Sequence, residues 1–128
     1  MKTEPQVHDV HVEVVTRYLD EQSDPAANRF AFAYTITIRN TGTVAAQLID
    51  RHWIITDGNG RIQEVRGEGV IGEQPVLQPG ANYTYTSGCL LETPVGSMQG
   101  SYGMLNEQGE DFRAPVGVFR LAKPNMLH

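Results

Sequence analysis

The amino-acid sequence predicts an all-β protein, an antiparallel β-sandwich of seven or eight short strands. Apolar and polar residues alternate with a period of two in several segments, the pattern of strands that bury one face. Thirteen glycines and seven prolines punctuate the chain, as expected where turns join short strands. No long segment keeps a helical period, so the crossover helices that a parallel sheet requires are missing.

Alternation defines the first two strands. VHDVHVEVVTRYL places Val10, Val12 and Val14 on one face, and Val15 followed by Tyr18 predicts a shift of face or a bulge. DEQSDPAANR is then the longest polar loop. FAFAYTITIRN is the clearest strand, because its large apolar side chains share one face and its small or polar ones share the other. The large side chains are Phe30, Phe32, Tyr34, Ile36 and Ile38.

Turn residues define the other strands. NTG at 40–42 ends the second strand, and AAQLIDRHWIITDGNGRIQEVRG predicts a hairpin around DGNG at 57–60. QPG at 78–80 predicts a turn before the alternating aromatics of NYTYTSG. SMQGSYGMLNEQGEDFRAPVGVFRL predicts two more strands around NEQG at 106–109. We expect one domain, residues 1–128, with loose ends at about 1–5 and 122–128.

The charge and the cysteine content of the chain restrict which binding partners and which cellular compartment are expected. The formal net charge is −5 and the basic residues are scattered, which argues against a nucleic-acid partner. No window approaches the roughly 18 consecutive apolar residues of a membrane span, so we expect no membrane insertion. Cys89 is the only cysteine, and the N-terminal segment has no apolar core of signal-peptide length. We therefore expect a reducing, cytoplasmic compartment.

The segment 67–72 reads GEGVIG, the glycine spacing that holds a pyrophosphate in dinucleotide-binding folds. That function needs a helix directly after the glycines, and EQPVLQPG leaves no room for one. The favoured interpretation is a bulged or tightly turned loop that crosses between the sheets. The alternative is a nest of backbone N–H groups that binds an anion weakly, with Arg66 supplying a positive charge.

The histidines do not predict a metal site. His8 and His11 are separated by an odd number of positions, so a regular strand would point them to opposite faces. Cys89 could join a ligand set only through tertiary approach, and a small buried apolar role fits a free cysteine better. We predict no bound metal and no cofactor.

No catalytic constellation emerges from the sequence either. Ser87 or Cys89 could be combined with His52 and Asp50, but no nucleophile elbow or oxyanion signature surrounds them. Trp53 lies on a mostly apolar strand, where a core anchor is the better interpretation than a ligand platform. The sequence therefore predicts a protein that is not an enzyme, with no catalytic residues.

An ordered series of motifs resembles the bacterial ApaG family over nearly the whole chain, from VVTRYL onward. The segments that carry the resemblance are RHWIITDGNGRIQEVRGEGVIGEQPVLQPGANYTYTSG, then LLETPVGSMQGSYGM, and the ending VFRLAKPNMLH. The matching positions are Arg51, His52, Trp53, Gly67, Gly69, Gly72, Gln74, Pro75, Ser87, Gly88, Pro94, Gly96, Met98, Gly100 and Tyr102.

The resemblance implies an immunoglobulin-like, fibronectin type III-like sandwich. Related domains are appended to eukaryotic F-box proteins and to a DNA polymerase-interacting protein, which implies an interaction module. Bacterial members are linked genetically to cobalt resistance and magnesium efflux, and a phosphate-binding role has been suggested from the glycine motif.

We therefore expect a small cytosolic, non-enzymatic binding module that is connected with divalent-cation homeostasis and has an unidentified protein partner. The alternative is a binder, or weak hydrolase, of a pyrophosphate-containing small molecule or nucleotide at the glycine motif. The sequence leaves the oligomeric state open. The candidate residues are Arg51 and His52 for the interaction surface, and Arg66, Gly67, Gly69 and Gly72 for the anion site.

Overall fold

The computed structural model describes residues 9–125, which form eight strands and two short 3₁₀ helices. The predicted strand number is confirmed. The strands are β1 (Val10–Tyr18), β2 (Phe30–Asn40), β3 (Ala46–Asp57), β4 (Ile62–Glu68), β5 (Val76–Leu77), β6 (Asn82–Leu91), β7 (Val95–Asn106) and β8 (Asp111–Ala122). The 3₁₀ helices, Asp20–Gln22 and Pro25–Ala27, lie in the polar loop between β1 and β2.

The strands form two antiparallel sheets. The three-stranded sheet has the order β1-β2-β6. The five-stranded sheet has the order β4-β3-β7-β8, and the short β5 pairs with β3. At one side of the molecule β1 lies against β8, and at the other side the five-stranded sheet ends at β4. This arrangement is an immunoglobulin-like, fibronectin type III-like sandwich, as predicted.

The core lies between the sheets and is built around aromatic side chains. The large apolar face of β2 is buried as predicted, and Trp53 of β3 is buried opposite it. The Trp53 ring meets Tyr34, Tyr102 and Phe119 edge-on, with ring centroids 5.7–5.9 Å apart. The hydroxyls of Tyr85 and Tyr102 form a buried hydrogen bond of 2.5 Å across the core. Trp53 is therefore the core anchor that its sequence context predicts.

The predicted irregularity in β1 is wrong. β1 pairs with β2 residue for residue over its whole length, and Val15 is 69% exposed on the face opposite Val10, Val12 and Val14. Tyr18 has the same parity as those three valines, so it continues their face without a bulge. A regular strand accepts one exposed valine at little cost, since single exposed apolar side chains are common.

Bulges occur in two other strands, at points where one strand has one residue more than the strand it pairs with. β3 has an extra residue, Ile49, between its pairs with Met104 and Gly103 of β7. β8 has an extra residue opposite the segment Met98 to Gly100. Each bulge changes which residues face the core beyond it, because side chains alternate along a strand.

The predicted turns are confirmed. In the β3–β4 hairpin, Asp57 Oδ1 accepts hydrogen bonds from the backbone N–H groups of Asn59 and Arg61. Ala81 N–H donates to Gln78 O, which closes the QPG turn, and Gly109 N–H donates to Asn106 O in the β7–β8 hairpin.

The C-terminal boundary of the predicted loose end is too early. Ala122 pairs with Val95, and Lys123 N–H donates a hydrogen bond of 2.8 Å to Pro94 O, so the sheet holds both residues. The predicted loose N-terminal stretch, 1–5, and the last three residues of the C-terminal one lie outside the described residues.

Candidate functional site

The glycine motif forms a tight turn after β4. Val70 N–H donates to Glu73 O (2.9 Å) and Glu73 N–H donates to Val70 O (2.8 Å), which closes a two-residue turn. Both central residues have positive φ, 43° at Ile71 and 80° at Gly72, as a type I′ turn requires. The favoured interpretation, a tightly turned loop, is confirmed. The loop connects β4 with β5 inside one sheet, so the predicted crossing between sheets is wrong.

The bulge in β3 anchors this turn. Because Ile49 is the extra residue, its carbonyl is available to the loop, and it accepts hydrogen bonds from Gly69 N–H and Gln74 Nε2, each 2.8 Å. The backbone N–H groups of Gly69, Val70 and Glu73 therefore all donate to backbone carbonyls. Three of the N–H groups that an anion-binding nest at this loop could offer are therefore already bonded within the protein.

Arg51 holds the other side of the loop from the inner face of the sheet. Its Nη1 donates hydrogen bonds to the carbonyl oxygens of Glu68 (3.0 Å) and Gly69 (2.9 Å). Gly67 is the cross-strand partner of Arg51, and a Cβ at Gly67 would lie 2.8 Å from the guanidinium. The first glycine of the motif therefore makes room for an arginine, and Arg51 acts as a clamp on the loop.

Arg66 does not lie beside the turn as the nest interpretation requires. Its guanidinium pairs with Glu64 (Nη2 to Oε1, 2.8 Å), and both residues are on the outer face of the sheet. Neighbouring residues of a strand point to opposite faces. For the same reason, Arg51 and His52 do not share a surface: Arg51 faces inward with Trp53, and His52 faces outward.

The outer face of the five-stranded sheet carries two neighbouring groups of bonded polar side chains, here together named the polar belt. His52 Nε2 lies 3.0 Å from Glu64 Oε1, and Ser101 is the cross-strand neighbour of His52. Arg113 Nε and Nη2 donate to Ser101 Oγ at 3.2 and 2.9 Å. The belt crosses four strands and consists of Asp50, His52, Glu64, Arg66, Ser101 and Arg113.

Arg113 joins β8 to β3 across the intervening strand. Its Nη1 donates a 2.6 Å hydrogen bond to Asp50 Oδ1, and Gly103 of β7 lies directly between the two residues. A Cβ at Gly103 would lie about 2.5 Å from the Asp50 carboxylate, so only glycine leaves the path open. The ion pair is half-exposed, which limits its contribution to stability but fixes its position.

Glu64 is the charge centre of the other half of the belt. Its carboxylate accepts hydrogen bonds from His52 and Arg66, and these partners, His52 first, hold the pKa of Glu64 below its usual value of 4.5. Glu64 is therefore ionised at neutral pH. Apart from His52 and Ser101, the belt thus contains two acidic and two basic side chains, and each acidic one is paired with a basic one.

The side chains considered for nucleophilic catalysis do not come together. Ser87 and Cys89 lie on β6, on the inner face of the three-stranded sheet, whereas His52 and Asp50 lie on the outer face of the other sheet. Burial raises the pKa of the Cys89 thiol to about 11. Cys89 is therefore a thiol at neutral pH, in keeping with the apolar role predicted for it.

The side chains that could bind a metal ion are also dispersed. Within residues 9–125, no three His, Cys, Asp or Glu side chains are grouped as a metal ion would require. His11 is exposed beside Glu13 on β1, and His8 lies outside the described residues. The described part of the chain also holds no helix with the length and hydropathy of a membrane span.

The loop and most of the belt lie in a segment that is similar to known proteins. The family model of the ApaG domain matches residues 20–106. The chain belongs to the ApaG family. Protein ApaG of Pseudomonas paraeruginosa PA7 is 65% identical over 121 residues, which cover 94% of this chain and 96% of that protein. Protein ApaG of Pseudomonas entomophila L48 is 57% identical over the same shares.

Solved structures agree with the ApaG fold. A crystal structure of a Bordetella pertussis protein that carries the name ApaA superposes with a TM-score of 0.93 at 51% identity, covering 96% of this chain and all of that one. The ApaG family model includes the glycine loop and the belt residues of β3, β4 and β7, and it ends before Arg113. The β8 side of the belt therefore lies beyond the matched segment.

Sequence reasoning missed Glu64, Ser101 and Arg113 as members of one ApaG surface. A usable signal existed on each strand, since alternation places His52 opposite the buried Trp53 and Glu64 opposite the partly buried Val65. The missing information was the register between strands, which decides that Ser101 lies beside His52 and that Arg113 reaches Asp50.

Proposed function

We propose that this protein is a cytosolic, non-enzymatic interaction module that binds a protein partner through the polar belt. The observation that supports it is the belt itself, six polar side chains in two neighbouring bonded groups of three, which span four strands of one sheet face. Charged groups that are already positioned provide specificity and fast association, since little ordering is needed on binding. By its family, we further propose a role in cobalt and magnesium homeostasis.

An exchange of charges tests this proposal. Asp50→Arg combined with Arg113→Asp exchanges the charges of one of the two charge pairs in the belt, keeps the net charge and keeps an ion pair across Gly103. We expect the double variant to fold, and to fail to restore cobalt tolerance to a Pseudomonas aeruginosa strain that lacks its ApaG protein. A protein captured by the wild type should be lost at the same time.

The matched control for this exchange is Val15→Lys, which adds a charge on β1 of the other sheet, where the side chain is already exposed. It should restore tolerance fully and retain the partner. Full restoration by the charge-exchanged variant, with unchanged capture, would contradict the belt as the binding surface.

The pyrophosphate alternative makes a different prediction. A ligand that used the N–H groups of Gly69, Val70 and Glu73 would have to compete with their backbone bonds, and Arg66 is engaged with Glu64. We therefore expect no shift of the loop amides when the ¹⁵N-labelled protein is titrated with pyrophosphate to sub-millimolar concentration. A saturable response in that range that disappears in Arg66→Ala would support the nucleotide-binding alternative instead.

A further inference from the structure

The edges of the two sheets differ in how they are protected. Natural sandwiches guard edge strands with proline, charge, bulges or short length, because unpaired backbone groups attract other strands. β8 has Pro115 and a bulge, and β4 carries Glu64, Arg66 and Glu68 within seven residues. β1 carries charged residues on its exposed face and lies against β8.

β6 has none of these protections. Its ten residues, NYTYTSGCLL, include no proline and no charged side chain. They pair with β2 without a register shift from Asn82 to Leu91. No strand among residues 9–125 pairs with its other side. β6 therefore presents a long, regular and uncharged edge.

The arrangement of the two sheets also leaves space for one more strand beside the β6 edge. Because β1 lies against β8, the two sheets are aligned at that side, and the three-stranded sheet stops at β6 while the other continues to β4. Val65 points inward from β4 and is only partly buried. One more strand on β6 would lie over β4, since neighbouring strands are about 4.8 Å apart and packed sheets about 10 Å apart.

We propose that the β6 edge binds one extended segment of a partner protein as an added antiparallel or parallel strand. Such strand addition obtains affinity from backbone hydrogen bonds and specificity from alternate side chains. A second copy of this chain fits less well: if two β6 strands paired, each overhanging β4 would occupy the place of the other copy's β3. A segment that brings no second sheet avoids this collision.

The chemistry beside the edge indicates the kind of segment. Cys89 and Val65 face the space that the added strand would cover. At one end, a cleft of about 440 Å³ opens between β6 and β4. Its lining includes the apolar Leu90 and Ile62, which are 56% and 69% exposed. Two acidic and two basic side chains also line it, so that their charges balance: Asp57, Glu92, Arg29 and Arg61, of which Arg61 and Glu92 form an ion pair. These surroundings suit an uncharged segment with alternating apolar side chains and a bulky one near the cleft.

This inference deepens the proposed interaction role, but it concerns a different surface from the polar belt, so the two can fail separately. The probe is a short peptide that alternates threonine and valine between terminal lysines, added to the full ¹⁵N-labelled chain. We expect chemical-shift changes in β6 and β4, and slower hydrogen exchange at alternate β6 amides. The same peptide N-methylated along its core, which lacks backbone donors, should bind at least tenfold more weakly.

A pair of matched variants locates the site. Val65→Lys puts a charge into the space beside β6 and should weaken peptide binding at least tenfold, whereas Val15→Lys at the opposite edge of the three-stranded sheet should leave it unchanged. If Val65→Lys fails to fold, the unmutated protein supplies the readout, since bound peptide should protect Cys89 from alkylation.

The inference would be overturned by no response at millimolar peptide, by a response centred on β1 or β8, or by equal binding of the N-methylated peptide. Concentration-dependent dimers that protect β6 in the absence of peptide would show that a second copy is the occupant, and would also overturn it.

Discussion

Replacing Gly69 by alanine is expected to lower the free energy of unfolding by about 2–5 kcal/mol, from left-handed backbone strain together with overpacking. Gly69 has a φ of 63°, and a Cβ there would lie only 2.4 Å from the carbonyl oxygen of Glu73. That oxygen accepts the hydrogen bond that closes the turn, so it cannot move away freely. Urea denaturation followed by circular dichroism measures the loss.

Gly72→Ala is the matched control. Gly72 also has a positive φ, of 80°, but a Cβ there would meet no atom within 4 Å. Only the backbone strain applies, so a loss of about 1–2 kcal/mol is expected. Equal losses for the two variants would show that the crowding at Gly69 relaxes without cost, and the structural account of the motif would then be incomplete.

Replacing Arg51 by alanine should lower the free energy of unfolding by about 1.5–3 kcal/mol, the usual value for hydrogen bonds to a charged group. The variant loses both bonds to the carbonyls of Glu68 and Gly69 and leaves a gap above Gly67. Arg51→Lys should recover only part of the loss, because an ammonium group lacks the flat, forked geometry of the guanidinium. Faster hydrogen exchange at Gly69 and Val70 should accompany both changes.

The control for Arg51 is Arg66→Ala, on β4 and one residue before Gly67, the cross-strand partner of Arg51. Arg66 is 71% exposed and bonded to Glu64, so its loss should change stability by no more than about 0.5 kcal/mol. If Arg51→Ala proved as mild as Arg66→Ala while a partner was lost, Arg51 would be a binding residue instead of a clamp.

The glycine and arginine variants together distinguish a structural role of the ApaG glycine motif from a role in ligand binding. Gly67 gives space to Arg51, Gly69 avoids Glu73, and Gly72 takes a turn position with positive φ. Each glycine therefore has a structural reason that does not involve a ligand. A phosphate-binding fold with the same spacing uses its glycines for close approach to a pyrophosphate at a helix N-terminus.

The sequence by itself determined the long strands of this protein and their order. Alternation in β2 identified the buried face, and the DGNG, QPG and NEQG segments identified three turns. The sequence also predicted correctly that the glycine motif is a turn, because no helix fits between the motif and Pro79. These features are local: the chain's own stereochemistry and the period of its side chains decide them before any distant contact forms.

Only the tertiary structure decided which of those residues meet. The bulge at Ile49 supplies the carbonyl that anchors Gly69, and it also sets Arg51 inward and His52 outward beyond it. The contact of Arg113 with Asp50 joins residues 63 positions apart. Register, bulges and uncovered edges depend on pairing between distant strands, and a one-residue shift moves every side chain to the other face, so no single strand's sequence specifies them.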